Sequence, residues 1–198
     1  MDRKQFLKSC AGGLCTCAAI GGLSRAAAAD TPARPADDWR LPFVKERYAK
    51  LLEILRTTVS LDTLNDILRQ LGRHCASTYP LIQEHRGDVD GFITEFKKRA
   101  NEDIVYDREK GIVTVVGPER GDCYCPLVDR HTVPASVCNC SLGWQQYTYE
   151  TLLEKKVAVT LKESVVRGGK RCVFEIRVLP PAAHTKAGGG TGIGATTS

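Results

Sequence analysis

Apolar residues recur at three- and four-residue intervals from about residue 43 to 102, and then the periodicity changes to short β-branched runs. Phe43, Val44, Leu51, Leu52 and Leu55 predict a first helix over 42–56. Pro42 suits its first turn, where a missing amide hydrogen costs nothing. Thr57-Thr58-Val59 interrupts it. Ser60 is a good N-cap and Asp62 favours the positive end of a second helix. Leu61, Leu64, Ile67 or Leu68, Leu71 and Cys75 form one stripe of that helix over 61–77. On this stripe Cys75 is expected as a small buried hydrophobe. Gly72, unfavourable inside a helix, is expected to mark close approach by another element or a ligand. His74 reads as a surface or interhelix hydrogen-bonding group. After Pro80, Asp88 or Asp90 caps a third helix over 90–102. Its core stripe is Phe92, Ile93 and Phe96, and Lys97, Lys98 and Arg99 form a solvated face at its negative end.

The next segments are short and β-branched. Asp103–Tyr106 and Gly111–Gly117, joined by Asp107-Arg108-Glu109-Lys110, predict a hairpin. Pro118 and Gly121 end it and deliver the chain to Cys123-Tyr124-Cys125-Pro126. A polar loop with Asp129, Arg130, His131 and Pro134 leads to Cys138-Asn139-Cys140. Ser141 is expected to cap a helix over 142–154, whose first amides would point back at the sulfurs and favour thiolate. Val157–Leu161 predicts a strand, with Val165 and Val166 in its continuation or neighbour. Arg167-Gly168-Gly169-Lys170 is a turn, and Cys172, Phe174 and Ile176 share one face of a last strand. The fold class expected is α+β, with N-terminal helices packed on a small, mainly antiparallel sheet.

The ends of the 198-residue chain read differently. A basic head, Asp2–Lys8, precedes an apolar run from Cys10 to Leu23 and then Ala26–Ala29. Residues 1–29 thus have the three-part form of an export signal. The head is twin-arginine-like, with Lys4 where the motif has its second arginine. The expected location is periplasmic or otherwise extracytoplasmic and soluble, reached through the export machinery. A retained signal, or lipid on Cys15, would anchor the chain to the membrane. Residues 30–41 read as a flexible leader, 42–179 as one cysteine-rich domain and 180–198 as a disordered Gly- and Thr-rich tail. The tail glycines do not form a phosphate loop, because no Walker lysine follows them. Loss of Arg3, Lys4, Lys8 and Arg25 against Asp2 alone would lower the net charge from +5 to +2. No basic patch for nucleic acid remains, and a homodimer is left open.

Five of the nine cysteines lie between Gly121 and Arg177. Each CxC pair projects two sulfurs from one short piece of backbone, and the loop between the pairs lets them converge at small entropic cost. Converging thiolates suit zinc, copper(I) or iron, including an iron–sulfur cluster. The metal candidates are Cys123, Cys125, Cys138, Cys140 and Cys172. The six cysteines beyond residue 29 could instead form disulfides, although not within a CxC, where the ring is too small. Cys75, Trp144, Tyr147 and Glu150 are candidates for lining a small-molecule pocket beside the centre, suited to an aromatic or sulfur-containing ligand. An enzymatic reading would use Cys140 or Cys125 as thiolate, with His131, Asp129 or Glu150 moving the proton.

Four segments taken together resemble a little-characterised group of bacterial cysteine-rich proteins. They are Gly72-Arg73-His74-Cys75-Ala76, Gly121 to Val128, Cys138 to Trp144 and Gly169 to Ile176. That group is similar to the 4-vinyl-reductase ligand-binding domain and to the family named for 2-amino-thiazoline-4-carboxylate hydrolase. The resemblance spans about 60–179. It implies an α+β fold with a small-molecule pocket, in some members beside a zinc held largely by cysteine. Carried over, Cys138, Cys140 and Cys172 would be ligands, completed by Cys123 or Cys125. The doubled CxC departs from the usual ligand set, and no acid–base pair for the hydrolase activity is recognisable. The function expected is an exported small-molecule-binding or sensing domain with a cysteine-bound metal. The alternatives are a metal- or thiol-dependent hydrolase and a disulfide-stabilised structural or redox protein.

Overall fold

The computed structural model describes residues 38–181. The export signal, residues 30–37 of the leader and nearly all of the tail lie outside the described residues, and the leader's last two residues, Arg40 and Leu41, are helical. Helix α1 spans Arg40–Thr58 and α2 spans Leu61–Ser77. The two are joined by the extended pair Val59 and Ser60. Ser60 caps α2, its hydroxyl accepting the Thr63 amide at 3.1 Å. A short α3, Pro80–Glu84, leads to α4, Val89–Ala100, which is capped by Asp88 through the Gly91 amide at 2.9 Å. Asn101 then turns the chain in the left-handed region, φ 50°.

Strand β1 is Asp103–Asp107 and β2 is Ile112–Val116. After a long loop and a 3₁₀ turn at Ala135–Val137, α5 runs Cys138–Leu153, followed by β3, Val157–Glu163, and β4, Val173–Val178. The sheet has the order β1-β2-β4-β3, antiparallel throughout. The architecture is therefore α+β. Alternation sends two rows of side chains to the helix-covered face. One row is Ile104, Val115, Phe174 and Leu161, and the next is Tyr106, Val113, Ile176 and Val159. Phe174 and Ile176 are buried as expected.

Helix α5 lies between this sheet and α2. The contacts advance in step: Asn65 with Asn139, Arg69 with Gly143, and Arg73 with Tyr147. The two helices therefore run parallel. They touch backbone to backbone through a reciprocal pair of glycines. A Cβ on Gly72 would stand 1.8 Å from the Cys140 carbonyl oxygen, and one on Gly143 would stand 2.0 Å from the Arg69 carbonyl oxygen. Gly72 thus marks a close helix approach, one of the two alternatives the sequence left open.

Three local expectations are corrected. Helix α5 starts at Cys138, not after Ser141, because the 3₁₀ turn runs straight into it and Val137 occupies the cap position with helical backbone and no side-chain cap. Val165 and Val166 lie in a 3₁₀ turn, Val165–Arg167, closed by Gly168 at φ 89°. The Gly169 amide donates back to the Ser164 carbonyl at 2.8 Å, which reverses the chain before a strand can continue. Cys75 is exposed. The buried line of α2 is Leu64, Leu68, Gly72 and Ala76, and Cys75 lies on the neighbouring line with exposed Leu71. Among the described residues no helix is long and apolar enough to cross a membrane.

Candidate functional site

The loop after β2 is shaped by Asp122. One of its carboxylate oxygens accepts the Cys123 amide at 2.8 Å and the Arg130 amide at 3.1 Å. These backbone donors hold the carboxyl below its usual range. The Val128 amide donates to the Cys125 carbonyl at 3.0 Å and buried Val128 anchors the turn, so the first CxC faces the body of the fold. The second CxC occupies the first turn of α5. At the sheet, Cys172 immediately precedes β4. Its carbonyl accepts the Gly117 amide at 2.9 Å, which ties it to the end of β2.

These three segments bring Cys123, Cys125, Cys138, Cys140 and Cys172 to the wall of one cavity of about 40 Å³. The rest of the wall includes Val137, Leu161, Phe174, Ser164 and Tyr48. Cys138 is buried and its sulfur lies 3.2 Å from the Ser164 hydroxyl. Exposed Cys75 does not line the cavity, but it is near enough to act on the charge of both Cys140 and Tyr48. All six cysteines of the described region are free thiols.

The electrostatics reverse the sequence expectation of helix-stabilised thiolates. Burial pushes the Cys140 thiol up to about 12, reinforced by the neighbouring thiols of Cys75, Cys125 and Cys123. Cys123 and Cys172 are raised by burial as well. The Tyr48 phenol is raised for the same two reasons, burial first and then four nearby cysteines. Among the described residues no lysine, arginine or histidine lines the cavity to stabilise a thiolate. At Cys140 desolvation outweighs the helix end, and burial favours the protonated thiol there and at Cys123 and Cys172.

The other candidates lie elsewhere. Trp144 lines a second cavity and packs on Tyr79 with ring centroids 5.8 Å apart. Tyr147 accepts from Gln83 Nε2 at 3.0 Å and lies under the Arg73 guanidinium. Glu150 accepts from Arg73 Nη1 at 3.0 Å, with Lys156 3.5 Å from its other oxygen. His131 is exposed in its loop, where Arg130 Nε donates to its ring at 3.2 Å, and the Asp129 carboxylate is engaged by the His131 amide at 2.9 Å. None of these five lines the cysteine cavity. The structure adds Tyr48 and Ser164, which the sequence reading missed. Tyr48 has a weak signal, four residues before buried Leu52 on α1; Ser164 has none.

As they stand, the sulfurs are not a finished ligand cage. Among the described residues no group of three or more His, Cys, Asp or Glu side chains is arranged to hold a metal ion. A cavity of this size accommodates an ion and a water, and is far below the several hundred Å³ of a drug-sized ligand site.

No family model and no curated protein matches the chain. Among solved structures, the trafficking protein particle complex subunit 3 from Naegleria fowleri, covalently bound to palmitic acid, is similar at 15% identity. That match has a TM-score of 0.46 and covers 73% of this chain and 98% of that one. A vinyl-4-reductase family protein from Methanocaldococcus jannaschii is similar at 13% identity and a TM-score of 0.35, covering 71% of this chain and 82% of that one. At these values neither likeness transfers a function, and the fold class rests on the architecture above.

Proposed function

We propose that this chain binds one thiophilic metal ion, zinc foremost or copper(I), through thiolates of the five-cysteine cavity. The observation that carries the reading is the convergence of Cys123, Cys125, Cys138, Cys140 and Cys172, from three separated segments, on one ion-sized space. Soft sulfur donors in that number select such ions over hard cations. Because the sulfurs are not preassembled, the ion gathers them by side-chain re-orientation, and each thiol recruited as a thiolate releases a proton, at a greater cost for Cys123, Cys140 and Cys172, whose thiols burial pushes up. Binding is therefore favoured by rising pH. In this reading the chain is an exported sensing or binding domain, and the ion is its ligand.

A second reading, thiol–disulfide chemistry among the same cysteines, is favoured by the absence of a ready three-ligand group among the described residues and by Cys125, Cys172 and Cys138 each lying near enough to act electrostatically on Cys123. Metal content and free-thiol count, measured together on protein purified without added metal or reductant, separate the two. About one ion per chain, lost in Cys138→Ser and in Cys140→Ser, supports coordination. Metal-free protein whose cavity cysteines are oxidised in pairs overturns it in favour of the second reading.

A further inference from the structure

The second cavity lies under the same helix as the cysteine centre, farther along it. Sheet row Ile104, Val115, Phe174 and Leu161 passes beneath both. Its Ile104 and Val115 end borders the second cavity, and its Phe174 and Leu161 end borders the first. The second cavity measures about 40 Å³, room for about three atoms heavier than hydrogen. Four aromatic side chains, Phe92, Phe96, Trp144 and Tyr149, contribute its walls, together with Gln145 and the carboxyl of Glu102.

Glu102 has no evident structural task. It follows the left-handed Asn101 and precedes β1, is half-buried, and receives no hydrogen bond or ion pair from any described residue. A carboxyl removed from water without a partner is costly, and native structures reserve such groups for a use. Arg120 acts on it only through its charge, its guanidinium being held over the Tyr124 ring, 3.7 Å from the centroid. Tyr124 is fixed in turn, its hydroxyl donating to the Ala100 carbonyl at 2.9 Å. The stacking keeps Arg120 from neutralising Glu102, even though Arg120 Nε is itself buried without a partner.

We propose that the second cavity is a binding site for a small organic cation, a primary ammonium group carrying one or two carbons, held by the Glu102 carboxylate among aromatic walls. An anionic oxygen and π-faces are the two features that recognise an alkylammonium group, and the Gln145 amide oxygen supplies a further acceptor. The volume excludes quaternary ammonium. The site is independent of the cysteines and stands whether or not they bind metal.

Burial raises the Glu102 carboxyl to about 7, offset in part by Arg120. The groups facing it are the Arg120 guanidinium and the Tyr124 and Tyr149 phenols, both of which burial raises. His85 lies behind Phe92, its ring centroid 6.5 Å from that of the phenylalanine. Cation binding then displaces the Glu102 proton. The carboxylate fraction at pH 8 is about ten times that at pH 6, and apparent affinity changes by the same factor.

The test is a titration of the full chain with methylammonium chloride at constant ionic strength, followed by the Trp144 indole and Tyr149 ring signals in NMR. The expected result is a saturable shift at pH 8 that is about tenfold weaker at pH 6 and lost in Glu102→Gln, while methanol at equal concentration gives no saturable shift. Gln is close to isosteric and relieves a buried charge, so the variant folds, and the pH comparison on wild type provides an arm free of substitution. Linear, unsaturable shifts, equal binding by Glu102→Gln, or equal affinity at pH 6 and 8 would each overturn the proposal.

Discussion

Gly72→Ala tests whether backbone contact between α2 and α5 is what sets the second CxC in place. The added Cβ would meet the Cys140 carbonyl oxygen at 1.8 Å, its carbon at 2.7 Å and the Trp144 amide at 2.9 Å, all backbone atoms that cannot rotate away. The helices must separate by more than 1 Å at that point, opening the interface that also holds Asn139 Nδ2 against Asn65 Oδ1 at 2.8 Å. Overpacking of this kind costs about 3 kcal/mol. Alanine recovers about 1 kcal/mol of helix propensity over glycine, leaving a net loss of about 2 kcal/mol. At about 2–4 °C per kcal/mol for a domain of this size, the melting temperature falls by about 4–8 °C. Thermal unfolding followed by circular dichroism reads this directly. The control is Gly121→Ala, where a Cβ meets nothing within 4 Å and the change should be within about 0.5 kcal/mol. If Gly72→Ala melts with the control, the helices do not rest backbone to backbone and the placement of Cys140 described above is wrong.

Other consequences follow from named groups. The Glu102 carboxyl, near 7 when folded against 4.5 as its ordinary value, binds its proton more tightly in the native state. Stability is therefore fully present below about pH 4.5 and declines as pH rises to about 7, by at most about 3 kcal/mol at 1.36 kcal/mol per pH unit, reduced by solvent screening of a half-buried group. Urea unfolding of wild type and Glu102→Gln across pH 4–8 should converge at low pH and diverge at high pH; parallel curves would refute the shift. In metal-free, reduced protein at pH 8, iodoacetamide followed by peptide mapping should label exposed Cys75 first. Cys140, with about one thiolate in ten thousand at that pH, should be labelled far more slowly. Preferential labelling of Cys140 would mean that the helix end, not burial, governs the site. Ser164→Ala, which removes the hydroxyl 3.2 Å from the Cys138 sulfur, should cost about 1 kcal/mol in the same unfolding assay.

How much of this was legible in sequence depends on whether the signal is local. Helix α2 was read to its last residue because Ser60 caps it and its buried positions repeat every four residues. The first two strands were read because short β-branched runs flank the charged turn Asp107–Lys110, and the last because Phe174 and Ile176 alternate with Glu175 and Arg177. The misreadings arose where a three-dimensional partner overrode a local preference. Ser141 looks like a helix cap, but the turn at Ala135–Val137 had already started the helix. Val165 and Val166 prefer strand, but Gly168 and Gly169 fold the chain back on Ser164. Cys75 looks buried on a stripe drawn with Leu71, yet the face that meets α5 is the one with Gly72 and Ala76, small enough for the backbones to touch. Four of the five cavity cysteines were suggested by the two CxC pairs and Cys172 only by its place on a strand face, whereas Tyr48 came from a helix some ninety positions earlier than Cys138, a distance no spacing rule bridges. The thiol charge state was misread because the helix end was visible in sequence and the desolvating wall was not.

The convergence of the five cysteines on one ion-sized centre is tested most directly by titrating the reduced, metal-free chain with cobalt(II) and recording sulfur-to-metal charge-transfer absorption together with proton release. The account predicts a band that saturates at one ion per chain, is accompanied by protons in proportion to the thiolates recruited, and weakens in both Cys123→Ser and Cys138→Ser, which sit on different segments of the cavity wall. A band that survives both substitutions unchanged, or no thiolate band at all, would contradict it.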